Sequence, residues 1–224
     1  MENRFNIDGI NNTIFSIDEN GNKQQINNKL LNISIDITGD NNNIIFGKNF
    51  LVLGFLNIKI VGNNNNIHIG DNVKINRNVY FLIYPQPKSV ADNSNILIGD
   101  YCNFNGKDIL FVLGEENTSI NIGNDCLFAY SIKLSTTDNH TIYDINTNKR
   151  LNPPGDINIG DHCWICGGVT ILNNTKISDN SIVATNSTVT KKFLEPNLLI
   201  AGVPAKICRI NVNWDINIDN QRYF

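Results

Sequence analysis

The stretch Ile159-Gly160-Asp161-His162-Cys163-Trp164-Ile165-Cys166-Gly167-Gly168-Val169-Thr170-Ile171 decides the fold. A β-branched apolar residue stands at every sixth place, and the period runs on through Ile177 and Val183 to Val189. Six is neither the period of a helix nor that of a simple strand. It is the period of a β-helix, in which each hexad supplies one short flat side of a coil. Three hexads close one triangular coil. Ile159 and Ile177 are therefore expected to lie one above the other.

Outward from this stretch, one phrase returns: Asn43-Ile44-Ile45-Phe46-Gly47, Asn66-Ile67-His68-Ile69-Gly70, Asn95-Ile96-Leu97-Ile98-Gly99, Ser119-Ile120-Asn121-Ile122-Gly123 and Asp156-Ile157-Asn158-Ile159-Gly160. A short strand alternates its faces, Gly follows, and Asp, Asn or Lys makes the corner. Gly and Asn suit corners because they tolerate left-handed backbone angles. The many asparagines read as corner residues and solvated ladders. From Phe46 to Ile69, Ile98, Ile122 and Ile159 the steps are 23, 29, 24 and 37 residues. A bare coil takes about 18. The excess is expected to loop out, and a long loop on a rigid solenoid usually carries function. The largest insertion spans roughly Ser135 to Pro154, and a second lies near Tyr84-Pro85-Gln86-Pro87-Lys88.

Residues 1–31 lack the six-residue period. Thr13–Ile17 and Lys23–Ile26 flank Asn20-Gly21, which reads as a hairpin between short apolar strands. Its expected place is over the open end of the helix, where an uncovered coil is an aggregation edge.

The five cysteines are an odd number, against a full disulfide framework. Cys163-Trp164-Ile165-Cys166 has the C-x-x-C form of redox and zinc sites. The hexad register offers another account: Cys102, Cys126 and Cys163 each fall four places after an apolar position, where the side chain points inward. A stack of buried thiols is expected, since free Cys packs as a small hydrophobe.

The net charge of -3 gives no electrostatic footprint for nucleic acid or an anionic membrane. No apolar run approaches the ~18 residues of a spanning helix. The first residues lack the cationic start and apolar core of a signal peptide. A cytoplasmic location is expected, without nucleic-acid partner or integral membrane segment.

Few groups remain for acid–base chemistry. Of the three histidines, His68 lies mid-strand and His162 at a corner. His140 lies in the largest insertion, with Asp138 and Asp144 close in sequence. An imidazole is the usual base for deprotonating a hydroxyl, and a neighbouring carboxylate or carbonyl can fix its tautomer. Trp164 falls between inward Cys163 and inward Ile165, so it points outward and needs an interface or a ligand to explain it. Lys191, Lys192, Lys206 and Arg209 gather cation beyond the last hexads. Such a group can seat the phosphates of an anionic cofactor.

Residues 157–172 together with Ile200-Ala201-Gly202-Val203-Pro204-Ala205-Lys206-Ile207-Cys208-Arg209 resemble the signature of hexapeptide-repeat acetyltransferases, joined in the expected order by Ser187-Thr188-Val189-Thr190-Lys191. The resemblance covers about residues 33–209. The loop Ser135–Asp144 is most similar to that of bacterial polysaccharide O-acetyltransferases, including those that modify sialic-acid capsules. It implies an all-β, left-handed parallel β-helix with a looped-out insertion and a short C-terminal extension. Residues 1–31 are then an N-terminal hairpin or cap, residues 32–190 the helix with inserted loop 135–155, and residues 191–224 an extension completing the cofactor site.

The same resemblance implies acetyl-CoA as co-substrate, no metal, a saccharide acceptor, and a homotrimer with sites between subunits. It makes His140 the catalytic base and Trp164 a wall of the acceptor and cofactor site. Gly167 would meet the pantetheine arm. Thr185, in Ala184-Thr185-Asn186-Ser187, stands where the family has Ala. Thr190 and Lys191 match a pair that meets the cofactor, and Lys206 and Arg209 match basic positions near its adenosine phosphates. The expected reaction is O-acetylation of a bacterial surface polysaccharide. The alternative is acetylation of a small acceptor, either an antibiotic or a nucleotide-linked amino sugar. A metalloenzyme on this scaffold needs three imidazoles at matched spacing, which His68, His140 and His162 do not provide. A purely structural solenoid would not need His140, Trp164 or the terminal cations.

Overall fold

The computed structural model describes residues 4–26, 30–85 and 90–217. Gln86, Pro87 and Lys88 of the second insertion lie outside the described residues, as do the extreme N-terminus and the end of the tail at Phe224. Among the described residues there is no helix. The strands form three sheets that the chain visits in rotation. Sheet A holds Phe5–Asp8, Ile33–Thr38, Phe55–Val61, Asn78–Ile83, Ile109–Leu113, Ile132–Ser135, Thr170–Ile171 and Thr188–Val189. Sheet B holds Lys23–Gln25 and Thr13–Ile17, then Asn43–Phe46 and its successors through Ile157–Ile159 and Thr175–Ile177 to Lys192–Phe193. Sheet C runs from Leu51–Val52 through Leu127–Phe128, Trp164–Ile165 and Ile182–Val183 to Leu198–Gly202 and Ala205–Ile210. Successive coils pair in parallel, and Ile159 sits beside Ile177, as the period requires.

The coil begins earlier than the six-residue period shows. Phe5–Asp8 pairs in parallel with Ile33–Thr38, and Thr13–Ile17 pairs in parallel with Asn43–Phe46. Thr13–Ile17 also forms the expected antiparallel hairpin with Lys23–Gln25. The smaller excesses over 18 residues are not looped out. They lengthen the sheet A strands, to seven residues at Phe55–Val61 against two at Thr170–Ile171. Long early rungs have no fixed hexad, which is why the period fades there.

The inside of the triangle is filled by the inward residue of each rung. Phe104 stacks on Phe128 at 4.9 Å, and Phe81 meets Phe111 edge to face at 4.8 Å. Cys102, Cys126 and Cys163 are buried in consecutive coils, as the register predicts, and none of the five cysteines is in a disulfide. Cys102 and Cys163 beside it, and then burial, raise the Cys126 thiol well above its ordinary value.

The corner from sheet B to sheet C explains the Gly-Asp phrase. Each coil's corner oxygen accepts the backbone N–H of the coil before it: Asp71 from Lys48 at 2.7 Å, Asp100 from Asp71 at 2.7 Å, Asn124 from Asp100 at 2.8 Å, Asp161 from Asn124 at 2.6 Å. A Cβ on Gly123 would collide with the Asp161 carboxylate, so the tight approach requires glycine there. At the corner from A to B, Asn42 and Asn65 form a comparable ladder, each side-chain oxygen capping the next coil's N–H. These two are buried, not solvated. A buried amide is tolerated because its partners are supplied by the repeat itself.

Candidate functional site

Both insertions leave the coil at one corner. Residues 84–94 follow a sheet A strand and precede a sheet B strand, and so do residues 136–156. Between them lies the short turn 114–118. Glu115 in that turn anchors the larger insertion. Arg150 donates to it twice, Nη1 to Oε2 at 2.6 Å and Nη2 to Oε1 at 2.8 Å, and Thr137 adds a short hydrogen bond to Oε1. The Arg150 hydrogen bonds, joined by that of Thr137, hold the Glu115 carboxyl below its usual value. Asn152 closes the loop from within. Its amide donates to Asp138 Oδ2 at 2.9 Å and to the His140 carbonyl at 2.8 Å, while its oxygen accepts the Ile142 N–H at 2.7 Å. Gly155 N–H returns the chain to the Thr136 carbonyl at 3.0 Å.

His140 stands exposed on this anchored loop, with its ring nitrogens free of partners among the described residues. Neither nearby carboxylate holds it. Asp138 is turned to Asn152, and Asp144 accepts from the N–H groups of Thr147 and Asn146, which lower its carboxyl. Neither acid therefore fixes the His140 tautomer within this loop: Asp144 satisfies its own turn, and Asp138 serves the Asn152 amide that closes the loop.

Trp164 is on sheet C between Leu127 and Ile182, half-buried and outward. Gly167 and Thr185 share the corner from C to A, where Gly168 donates to the Tyr130 carbonyl at 2.8 Å and Asn186 donates to the Gly167 carbonyl at 2.9 Å. The Tyr130 ring lies against Gly167, where a Cβ would stand 2.6 Å from Cζ. Lys206 and Arg209 are exposed on the final antiparallel strand of sheet C. They enter no ion pair among the described residues. Thr190 and Lys191 are exposed at the corner from A to B, in line with the His140 loop.

The expected site residues therefore fall into two groups. Trp164, Gly167, Thr185, Lys206 and Arg209 occupy sheet C and its junction with sheet A. His140, Thr190 and Lys191 occupy the corner between A and B. That corner is the one edge of the triangle that sheet C does not touch. Within one chain the two groups are on different sides of the prism.

Residues that the motif reading passed over complete the picture. Glu115, Arg150 and Asn152 build the loop; their signal was only position, at the base of the longest insertion. Trp214 covers part of the outer face of sheet C. It lies 6.0 Å from Trp164 and stacks on His162 at 4.5 Å and 12°. Its indole N–H donates to the His162 carbonyl at 2.8 Å. Cys166 is buried, and that burial pushes its thiol up to about 11, far from the low values of reactive redox cysteines. No group of metal-binding side chains occurs among the described residues.

Fold and site together define a left-handed parallel β-helix with a histidine-bearing corner loop and an outward tryptophan. No family model matches the chain. Among curated proteins it is 30% identical over 156 residues to galactoside O-acetyltransferase of Escherichia coli K12, covering 70% of this chain and 67% of that protein. It is 31% identical over 105 residues to the polysialic acid O-acetyltransferase of Escherichia coli O1:K1, covering 46% of this chain and 34% of the relative. It is 32% identical over 99 residues to that of Neisseria meningitidis, covering 44% and 46%. The match thus spans less than half the length of either polysialic acid enzyme. The crystal structure of the polySia-specific acetyltransferase NeuO superposes with a TM-score of 0.76 at 26% identity, covering 95% of this chain and 88% of that one. The polysialic acid O-acetyltransferase OatWY gives 0.75 at 27%, covering 97% and 94%. The chain belongs to the hexapeptide-repeat acetyltransferases.

Proposed function

We propose that the protein is an acetyl-CoA-dependent O-acetyltransferase acting, in the cytoplasm, on a hydroxyl of a bacterial surface polysaccharide such as a sialic-acid-containing capsule. The observation that carries this reading is the near-complete superposition on two polysialic acid O-acetyltransferases, over 95% and 97% of this chain. His140 serves as general base. It takes the proton of the acceptor hydroxyl as that oxygen forms its bond to the acetyl carbon. As the carbon–sulfur bond breaks, the imidazolium returns the proton to the departing thiolate. The donor thioester supplies an already activated acyl group, so no covalent enzyme intermediate is needed. Thr190, Lys191, Lys206 and Arg209 hold the donor. Their exposed cations fit its phosphates, and its slender arm would run past exposed Thr185 beside Gly167, which the Tyr130 ring covers.

In this reading the active unit is a closed ring of three chains. His140 and Trp164 lie on different sides of one prism, so one acceptor meets both only where the A–B corner of one chain faces sheet C of the next. Positioning by two chains then supplies much of the rate. A second reading is favoured by the 67% coverage of galactoside O-acetyltransferase: a small galactoside acceptor.

The test is acetyl transfer from acetyl-CoA to polysialic acid, neutral oligosaccharides and small galactosides, following CoA release. Transfer to a polymer is expected, with His140→Ala slower by roughly 10²–10⁴-fold. Full activity in that variant would remove His140 as the base. Transfer to small galactosides alone would replace the polymer by the second reading.

A further inference from the structure

The corner from B to C contains a ladder of residues in the left-handed region, one per coil. Asn49, Asn72, Asn180 and Asn197 occupy it with φ between 54° and 61°. Asparagine is the side chain that tolerates this backbone best after glycine. Three consecutive rungs depart from it: Tyr101 at 59°, Asp125 at 54° and His162 at 51°. They are in register, because each donates its N–H to the preceding coil in the same way: Tyr101 to Asp71, Asp125 to Asp100 and His162 to Asn124. A bulky residue in this region is strained, and such strain persists where something else requires the side chain.

Two of the departures have a visible reason. His162 Nδ1 meets Asp125 Oδ2 at 2.7 Å, and the His162 ring stacks on Trp214. Together they dock the C-terminal segment against the helix. Tyr101 has no such return. The residue is 58% exposed, and its side chain forms no hydrogen bond or ring stack among the described residues. It stands on the rim of a groove of about 570 Å³ between sheet C and residues 213–216. That volume lies within the ~300–1,000 Å³ of small-ligand sites.

The lining of the groove specifies its ligand. Tyr101 and Trp214 supply aromatic rings to the lining, Trp214 with one face already stacked on His162, and such rings suit the C–H face of a sugar. Asn72, which accepts from Asn49 in the ladder, and Asn103, which donates to the Tyr101 carbonyl, present amides with further donor and acceptor capacity. The bases of the lining are Lys74 and His162 and its acids Asp125 and Asp215, with Asp125 already meeting His162, so no surplus of positive charge attracts a polyanion. The groove adjoins the outer face of sheet C where Trp164 stands, through Trp214. The geometry points to a saccharide subsite here that takes the uncharged sugar units of a mixed, sialic-acid-containing acceptor polymer, away from the hydroxyl that is acetylated. This deepens the O-acetyltransferase reading and rests on it for the identity of the acceptor.

Binding is measured without acetyl donor, so the outcome does not depend on catalysis. The probes are chitotriose, maltotriose and a sialic acid trisaccharide, titrated while following tryptophan fluorescence and heat. At least one uncharged trisaccharide is expected to bind and to perturb tryptophan emission. Tyr101→Asn restores the ladder residue. It is expected to weaken that binding at least tenfold while the melting temperature holds or rises. Three results would overturn the assignment: no binding of either uncharged probe, binding only of the sialoside, or equal affinity in the variant. A variant that melts markedly lower would also overturn it, since Tyr101 would then be structural. Failure of the acetyl-transfer assay with intact trisaccharide binding would sink the enzymatic reading and leave the groove standing.

Discussion

Mixing two inactive variants tests whether the site is shared between chains. His140 belongs to the A–B corner and Trp164 to sheet C, on different sides of one prism. Take His140→Ala and Trp164→Ala, each inactive alone, and form mixed rings at equal ratio. A competent site then needs the corner from a Trp164→Ala chain facing the sheet from a His140→Ala chain. Each condition is met half the time, so about one quarter of sites regain both residues, whatever the size of the ring. In a ring of three that contains both kinds of chain, the fraction is about one third, since one junction has the right order. A site built within one chain predicts no recovery, because every chain lacks one residue. The assay uses two affinity tags, tandem purification and CoA release per oligomer. Activity no greater than the sum of the two parents, in material shown to be mixed, would refute the reasoning.

Other outcomes follow from single rungs and from the loop. Ile165→Ala removes a fully buried rung of sheet C. It is expected to cost about 3 kcal/mol, and at about 2–4 °C per kcal/mol to lower the melting temperature by roughly 6–12 °C in a thermal scan. Glu115 has a folded pKa lowered by Arg150 and Thr137, so its contribution is present above the usual Glu value of about 4.3 and lost as pH falls through the lower folded value. Limited proteolysis at the 136–156 loop should therefore quicken in acid, and Arg150→Ala should show that susceptibility already at neutral pH. Thiol titration of the native protein should find Cys208 fast and the four buried cysteines slow, with all five released on unfolding.

The repeat was legible because a hexad is one rung, and each rung must present one apolar residue to a narrow interior. Ile159 to Val189 show this cleanly, since their rungs are two or three residues long. Phe55–Val61 and Ile33–Thr38 hid it, because a longer strand shifts the next corner out of phase. The C-x-x-C is legible for the same reason: the register places Cys163 inward, among the buried, unbridged thiols. The site was legible as individual residues but not as a geometry. Nothing in His140 or Trp164 announces opposite sides of a prism; that follows from which corner each insertion leaves. The Glu115–Arg150 clamp joins residues 35 apart in sequence, and Trp214 meets His162 across 52. Such contacts have no periodic signature. Asp138 and Asp144 do not hold His140, because Asp138 is taken by the Asn152 amide and Asp144 by the N–H groups of its own turn.

The asparagine ladders show how stability and function divide on this scaffold. Among non-glycine residues a left-handed corner is cheapest with Asn, and the chain uses Asn at most of these positions. A bulkier residue there costs about 1 kcal/mol or more. At His162 that cost is offset, and Asp125, no larger than Asn, incurs little of it. One aromatic stack is worth about 0.5–1.5 kcal/mol, and the charged hydrogen bond and the docked Trp214 add to it. At Tyr101 the side chain is more than half exposed and makes no hydrogen bond among the described residues, so little offsets the cost. In a solenoid each rung contacts only its neighbours, so a loss at one coil is not recovered by distant coils. An unreturned cost at a single rung, beside a groove of ligand size, is then best explained by what enters the groove.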